Sequence, residues 1–246
     1  MTDWLAADWP SPAGVVAGTS LRCGGISDGP YRSLNIAAHV GDEAGHVDEN
    51  RRRLRGSRGL PDEPCWLCQQ HGSRVVVLPA AAYPAADAAI TRQAGVVCAI
   101  QSADCLPVVL AAADGSAVGA AHAGWRGLSA GILERTVAAF GIPAERLRAW
   151  LGPAISQPCF EVGDEVRDAF VAAHAMAASC FERNARGRWQ ADLYGLARQR
   201  LAAAGVHDVH GGGRCTYRES AAFYSYRRDG RCGRMATLVW RRGALP

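Results

Sequence analysis

The chain has 246 residues, 49% hydrophobic and 20% charged, with a formal net charge of +4, a size that allows a substantial core in one large or two small domains. The weak, scattered charge gives no nucleic-acid footprint, no apolar run approaches the roughly 18 residues of a membrane span, and all 27 basic residues are Arg, which leaves no amine for Schiff-base chemistry. Nine Cys is an odd number without framework spacing, and Met1 to Trp9 carries Asp3 and Asp8 and no apolar core, so a cytoplasmic protein with reduced thiols and no signal peptide is expected.

Val15 to Thr19 reads as the first strand, followed by Leu21-Arg22-Cys23-Gly24-Gly25. Glycines beside an Arg suit a small anionic ligand, because the backbone can approach closely and the guanidinium can fork onto it. A plain turn with a surface Arg is the equal alternative. Val47 to Leu60 has the spacing of a short surface helix, with Arg51-Arg52-Arg53 on a solvated face. Trp66 to His71 reads as a strand, kinked at Gly72 before a second strand, Val75 to Leu78. Cys65 and Cys68 form a lone CxxC. A zinc knuckle would need a second ligand pair, and a redox motif would need a following helix. Strand alternation would also send Cys68 and His71 to opposite faces, so only His71 is kept as a candidate.

Ala81 to Gly95 reads as a loop or helix around Asp87, and Val96 to Ile100 as a short strand. Two apolar runs, Val108 to Ala113 and Ala117 to Ala121, then flank Asp114-Gly115, a β-hairpin signature. An antiparallel pairing brings Cys105, at the start of the first strand, beside His122, at the end of the second. Leu128 to Phe140 has helical spacing, Leu147 to Leu151 reads as a strand, and Phe160 to Met176 and Asp192 to Ala204 read as amphipathic helices. A final strand spans Met235 to Trp240. No repeat, linker or boundary interrupts the chain, so residues 1–246 are expected to form a single α/β domain.

His71, Cys105 and His122 stand out as a site. Two neutral imidazoles and a thiolate make three protein ligands for a catalytic zinc, with a fourth position for water or substrate, and copper is the alternative ion. Asp104, beside Cys105, would carry a proton or orient a neighbouring group. His39, His46, His174, His207 and His210 gain no evident partner and are assigned surface or core roles.

The segments Gln69-Gln70-His71-Gly72, Ser102-Ala103-Asp104-Cys105-Leu106-Pro107, His122-Ala123-Gly124-Trp125-Arg126-Gly127, Gly152-Pro153-Ala154-Ile155 and Ser225-Tyr226-Arg227-Arg228-Asp229 together resemble the YfiH family of laccase-domain proteins. The likeness runs from about Thr19 to Trp240; Ser102 stands where Thr is more usual, and Cys232 replaces a common Thr. The resemblance implies a layered α/β/β/α fold around a central mixed β-sandwich, like that of the necrotizing-factor toxins, with zinc on His71, Cys105 and His122. It also implies phosphorolysis of adenosine, inosine and methylthioadenosine, and deamination of adenosine. Purine nucleosides and phosphate are then the expected partners, with no nucleic acid or membrane, and a monomer is expected. Arg22, Arg227 and Arg228 are candidates for the phosphate, and Asn35 for a sugar hydroxyl or phosphate; a surface salt bridge is the alternative for Arg227 and Arg228.

Three rival readings remain open. A true multicopper oxidase draws on many histidines, commonly in His-x-His pairs, whereas this chain has seven His and no such pair. Oxidation of phenols by bound copper would then be a side activity. A metal-free Cys105–His122 pair would give a hydrolase or amidase, including one that edits peptidoglycan precursors. A zinc-stabilised binding module would need a fourth protein ligand, such as Cys68 or Cys23.

Overall fold

The computed structural model describes residues 3–243. Short runs of β-branched residues and Ala, divided by glycine turns, form most of its strands. The chain opens with β1 (Trp4–Ala6), β2 (Val15–Ser20) and α1 (Ala44–Arg58). Next come β3 (Val75–Leu78), β4 (Ala88–Thr91), β5 (Val97–Ser102), β6 (Leu106–Ala112) and β7 (Val118–Ala123). Helices α2 (Trp125–Ser129) and α3 (Ile132–Ala139) lead to β8 (Leu147–Leu151) and β9 (Glu161–Val162). The rest comprises α4 (Asp164–Val171), β10 (Phe181–Arg183), β11 (Trp189–Ala191) and α5 (Leu193–Ala203). β12 (Asp208–Gly211), α6 (Tyr226–Asp229) and β13 (Met235–Arg241) close it.

Two sheets carry the architecture: a four-stranded one ordered β1-β2-β13-β5 and a six-stranded one ordered β12-β8-β6-β7-β4-β3. The larger is mixed, with parallel pairs β12–β8 and β3–β4 and antiparallel pairs between. Strand alternation sorts the side chains into layers. Cys98, Ile100 and Val239 of the smaller sheet meet Val109, Ala111, Val118 and Ala120 of the larger one in a shared core. On the outer face of the larger sheet, Val108, Leu110 and Ala121 pack against Ile132 and Leu133 of α3 and Leu196 and Leu201 of α5. On the outer face of the smaller sheet, Val97, Ala99 and Leu238 meet Leu54 of α1. The result is an α/β/β/α stack. Strands buried on both faces need no polar alternation, which is why β5, β6 and β7 read as nearly continuous apolar runs. A fully buried side chain such as Leu110 or Ile100 contributes about 1.5–3 kcal/mol relative to exposure.

The hairpin β6–β7 forms as expected, pairing Leu106 with Ala123 and Pro107 with His122. Its turn places Gly115 at φ 71, where a Cβ would also lie 2.6 Å from the Ala13 carbonyl oxygen. Cys105 precedes β6 by one residue, so it reaches the C-terminal end of β7.

Five expectations are corrected. Trp66 to His71 is not a strand: the only β-bridges in or beside it are isolated ones at Cys65 and Cys68, and His71 adopts φ 58. Within Ala81 to Gly95, the residues after Asp87 form strand β4 rather than a loop or helix. The helix expected over Leu128 to Phe140 is two helices, interrupted at Gly131 with φ 87. The helix expected over Phe160 to Met176 is confined to α4, because Glu161 and Val162 pair with β11 and Gly163 caps the start. Arg51 also leaves the solvated face of α1: it is buried, donates to the Ile36 carbonyl at 2.9 Å and to Tyr83 Oη at 2.8 Å, and stacks over Trp66. Arg52 and Arg53 do face outward, paired with Glu49.

Candidate active site

The ends of β5, β6 and β7 converge on a cavity of about 470 Å³. Cys105 comes from the turn between β5 and β6, where Asp104 holds φ 85. His122 lies near the end of β7, on the face that Val118 and Ala120 bury between the sheets. His71 arrives from the irregular segment before β3. The donor atoms of His71, Cys105 and His122 all lie within 4.8 Å of one another, and the two imidazole rings are 4.8 Å apart in an edge-on arrangement.

One carboxylate holds this grouping together. Asp87 Oδ2 accepts the backbone N–H of Gln70 at 3.1 Å and of Gly72 at 2.8 Å, while Oδ1 accepts that of His71 at 2.9 Å. Oδ1 also lies 2.9 Å from His122 Nδ1. Three donors from one segment fix the left-handed turn at His71, which costs a non-glycine residue about 1–3 kcal/mol when unsupported. The bond to Nδ1 sets the His122 tautomer and leaves Nε2 free for the cavity. Burial pushes the Asp87 carboxyl up, but the His122 ring and these N–H donors outweigh it and hold it below its ordinary value.

The same neighbours shape the thiol. Burial alone would raise Cys105, yet the His122 and His71 rings bring it down to about 6. Burial would lower His122, whereas Cys105 and Asp87 raise it to about 9. Each group thus favours the charged form of the other, a thiolate beside an imidazolium, in the metal-free protein. Gly124 completes the cradle, since a Cβ there would lie 2.9 Å from Cys105 Sγ and 3.2 Å from His71 Nδ1. A thiolate with two imidazoles around a space kept open by a glycine suits a first-row metal with about 2.0–2.3 Å bonds. Met176 sits in a groove beside α5, and Met235 Sδ accepts the Tyr224 N–H. Neither supplies the axial thioether of a blue-copper centre.

The cavity lining mixes apolar side chains, Trp125, Ile155, Phe160 and Leu193, with cationic ones. Arg126, Arg227 and Arg234 bring three guanidiniums, none of which is ion-paired to a carboxylate among the described residues. Arg126 stacks over Trp125 and Arg227 over Phe160. His39, read from the sequence as a surface or core residue, also lines this space; partial burial and the Arg234 and Arg51 guanidiniums hold it below its ordinary value. Asp104 lines the cavity too, but Oδ1 accepts the Thr216 hydroxyl at 2.6 Å and Oδ2 the Arg227 backbone N–H at 2.7 Å.

Of the four residues expected at a phosphate or sugar, only Arg227 lines the cavity. Arg22 belongs to a separate surface hollow and donates to the Arg32 and Ser220 carbonyls. Asn35 is fully buried, bonded to Asp42, Ala37 and the Arg234 backbone. Arg228 donates to the carbonyls of Thr216, Tyr217 and Phe223. Asp87, Arg126, Arg234 and His39 were not singled out by sequence. An acid within the otherwise apolar Ala85 to Ile90 is the available signal for Asp87.

The family model described as multi-copper polyphenol oxidoreductase laccase matches residues 16–242. A protein of Pseudomonas aeruginosa named purine nucleoside phosphorylase is 54% identical over 241 residues, covering 98% of this chain and 99% of that protein. A protein of Escherichia coli named purine nucleoside phosphorylase YfiH is 50% identical over 242 residues, covering 98% and 99%. A solved protein of Neisseria meningitidis superposes with a TM-score of 0.94 at 46% identity, over 98% of this chain and 100% of that one. YlmD from Geobacillus stearothermophilus superposes with a TM-score of 0.89 at 34% identity, over 98% and 97%.

Replacing Asp87 by Asn removes the charge that orients His122 and pins His71. Metal affinity, measured by competition with a chromophoric chelator, should fall about 10–100-fold with the fold retained by circular dichroism; unchanged affinity would contradict the positioning role. In metal-free protein, carbamidomethylation of Cys105, followed by peptide mass spectrometry, should decline only as pH falls through about 6. In urea the midpoint should move to about 8.5. A native midpoint equal to the urea value would show that the two histidines do not stabilise the thiolate.

Proposed function

This chain belongs to the YfiH family, the one described as multi-copper polyphenol oxidoreductase laccase, and from that premise we propose that it is a zinc-dependent purine nucleoside phosphorylase acting on adenosine, inosine and methylthioadenosine, and also deaminating adenosine. The observation that carries the reading is a single cavity in which apolar side chains and three guanidiniums without a carboxylate partner lie beside a His71–Cys105–His122 ligand set. The names of the relatives supply the reaction class. Zinc on the three ligands would supply Lewis acidity, able to activate water toward C6 of adenine.

The chain's own groups account for the phosphorolysis. Trp125, Phe160, Ile155 and Leu193 offer aromatic and aliphatic contacts for a purine, which burial favours. Arg126, Arg227 and Arg234 hold phosphate by charge-assisted hydrogen bonds, with no carboxylate competing for them. Held there, a phosphate oxygen attacks the ribose C1′ while the bond from C1′ to the purine nitrogen breaks and its electron pair leaves with the base. Placing both partners in one cavity converts an encounter of two solutes into a reaction of neighbours. Asp104, with both oxygens engaged, positions Arg227 through its backbone N–H and fixes the turn that presents Cys105. Arg22, Asn35 and Arg228 take structural roles in this reading.

A metal-free Cys–His hydrolase is the second reading, favoured by the Asp87–His122–Cys105 order, which matches the orienter, base and nucleophile of a triad. His71 has no part in that mechanism.

Chromatography of adenosine incubated with metal-loaded protein separates the readings. Adenine and ribose 1-phosphate should form only with phosphate present, and inosine should form without it. Cys105→Ala and chelation should each abolish both products, and Arg227→Ala should raise the KM for phosphate at least tenfold. Adenosine untouched under every condition would overturn the proposal. Turnover that survives chelation would favour the Cys–His reading.

A further inference from the structure

The metal-ligand set leaves one imidazole of the cavity unused. His39 is exposed along the same lining as Arg234 and Tyr226. No carboxylate pairs with its ring among the described residues, where the ion-paired histidines are His46, His122 and His210. Asp42, three residues further along the chain, is engaged by Ser27, Asn35 and the Glu43 N–H. The charged groups that act on His39 are two cations, Arg234 before β13 and Arg51 in α1; partial burial and these guanidiniums hold it below its ordinary value. Arg51 is already engaged by the Ile36 carbonyl and Tyr83. Arg234 is less committed. Its Nη1 donates to the Cys232 and Gly233 carbonyls at 2.8 and 3.0 Å, and its Nε and Nη2 have no protein acceptor among the described residues.

An imidazole kept near a guanidinium with no acid between them is suited to an anion, because like charges disfavour one another until a negative group relieves them. The other two guanidiniums of the cavity are placed differently. Arg126 stacks over Trp125, next to the Gly124 that borders Cys105 and His71, so it belongs to the metal end. Arg227 stacks over Phe160 and gives Nη1 to the Glu161 carbonyl at 2.8 Å. Arg234 instead lies 5.9 Å from the centroid of Tyr226 and acts on His39. We propose that His39 is a further phosphate-binding residue, a ring N–H donating to the phosphate that Arg234 holds, so that these two side chains mark the anion end of the cavity. This inference rests on the phosphorylase reading above. Guanidinium and imidazole N–H groups both donate, which matches the acceptor oxygens of a phosphate dianion. The bound anion offsets the repulsion from Arg234 and favours the protonated ring, so anion binding takes up a proton. Affinity therefore climbs as pH falls through the ring's value in the complex and levels off below that of the free ring.

The test is calorimetric titration of the zinc-loaded protein with inorganic phosphate and with sulfate, which stays a dianion and so isolates the titration of the protein. Wild type should bind sulfate about tenfold more tightly at about pH 5.5 than at about pH 8. His39→Ala should bind both anions about tenfold more weakly at about pH 5.5. His39→Gln, which keeps a donor but does not titrate, should hold the wild-type affinity at about pH 8 and lose the gain at low pH. In phosphorolysis, His39→Ala should raise the KM for phosphate about tenfold and that for adenosine less than about threefold, with zinc content and Tm maintained. Equal anion binding by wild type and His39→Ala, a pH dependence that survives in His39→Gln, or no anion binding by wild type overturns the inference. Anion binding needs no turnover. Its loss in His39→Ala upholds the subsite even where adenosine is untouched, so the failure of the phosphorylase reading and the failure of this one are distinct results.

Discussion

The site depends on one buried carboxylate. Asp87 gathers the N–H groups of Gln70, His71 and Gly72 and the Nδ1 of His122. It thereby joins an irregular segment to the end of β7 and fixes two of three candidate ligands with one side chain. A charge at that depth is tolerable only because each oxygen receives at least two donors, and the low local dielectric strengthens every one of those bonds. Remove the carboxylate and the left-handed turn at His71 loses its support, the His122 tautomer loses its definition, and Cys105 loses an oriented partner.

The sandwich gives this arrangement a rigid frame. Cys105 and His122 come from paired strands of the six-stranded sheet, with register fixed by Leu106–Ala123 and Pro107–His122. Gln101 and Ser102 come from the four-stranded sheet, where β13 and the Gln69 side chain hold them. The cavity opens where the two sheets end, and its lining brings apolar side chains and guanidiniums together. Helix-covered β6–β8 leads toward Ile155 and Phe160, whereas β13 leads back to Arg234. A phosphorylase needs both kinds of group, because its two substrates differ as much as a purine and an anion.

What could be read from sequence was what local rules govern. The Asp114-Gly115 turn between apolar runs fixed the hairpin, and the hairpin brought Cys105 to His122. The segment from Trp66 to His71 misled, because its conformation is imposed by Asp87 from 15–17 residues away rather than by its own pattern. Arg51 looked like one of three solvated arginines until Trp66 and Tyr83 covered it. Of the phosphate candidates, Arg227 lines the cavity, whereas Arg22 lies in a separate hollow and Arg228 is paired with Asp229 and with backbone carbonyls. Which arginines reach the cavity without a carboxylate partner is a property of the folded whole. Arg126 and Arg234 carry no local mark that separates them from the other 25.

The most direct test is a crystal structure of the metal-loaded protein soaked with ribose 1-phosphate, with diffraction recorded at the zinc edge. The predicted result is an anomalous peak among His71, Cys105 and His122, with the phosphate within bonding distance of Arg126, Arg227 or Arg234. Phosphate lodged beside Arg22, or a metal peak elsewhere with the three ligands unengaged, would contradict it.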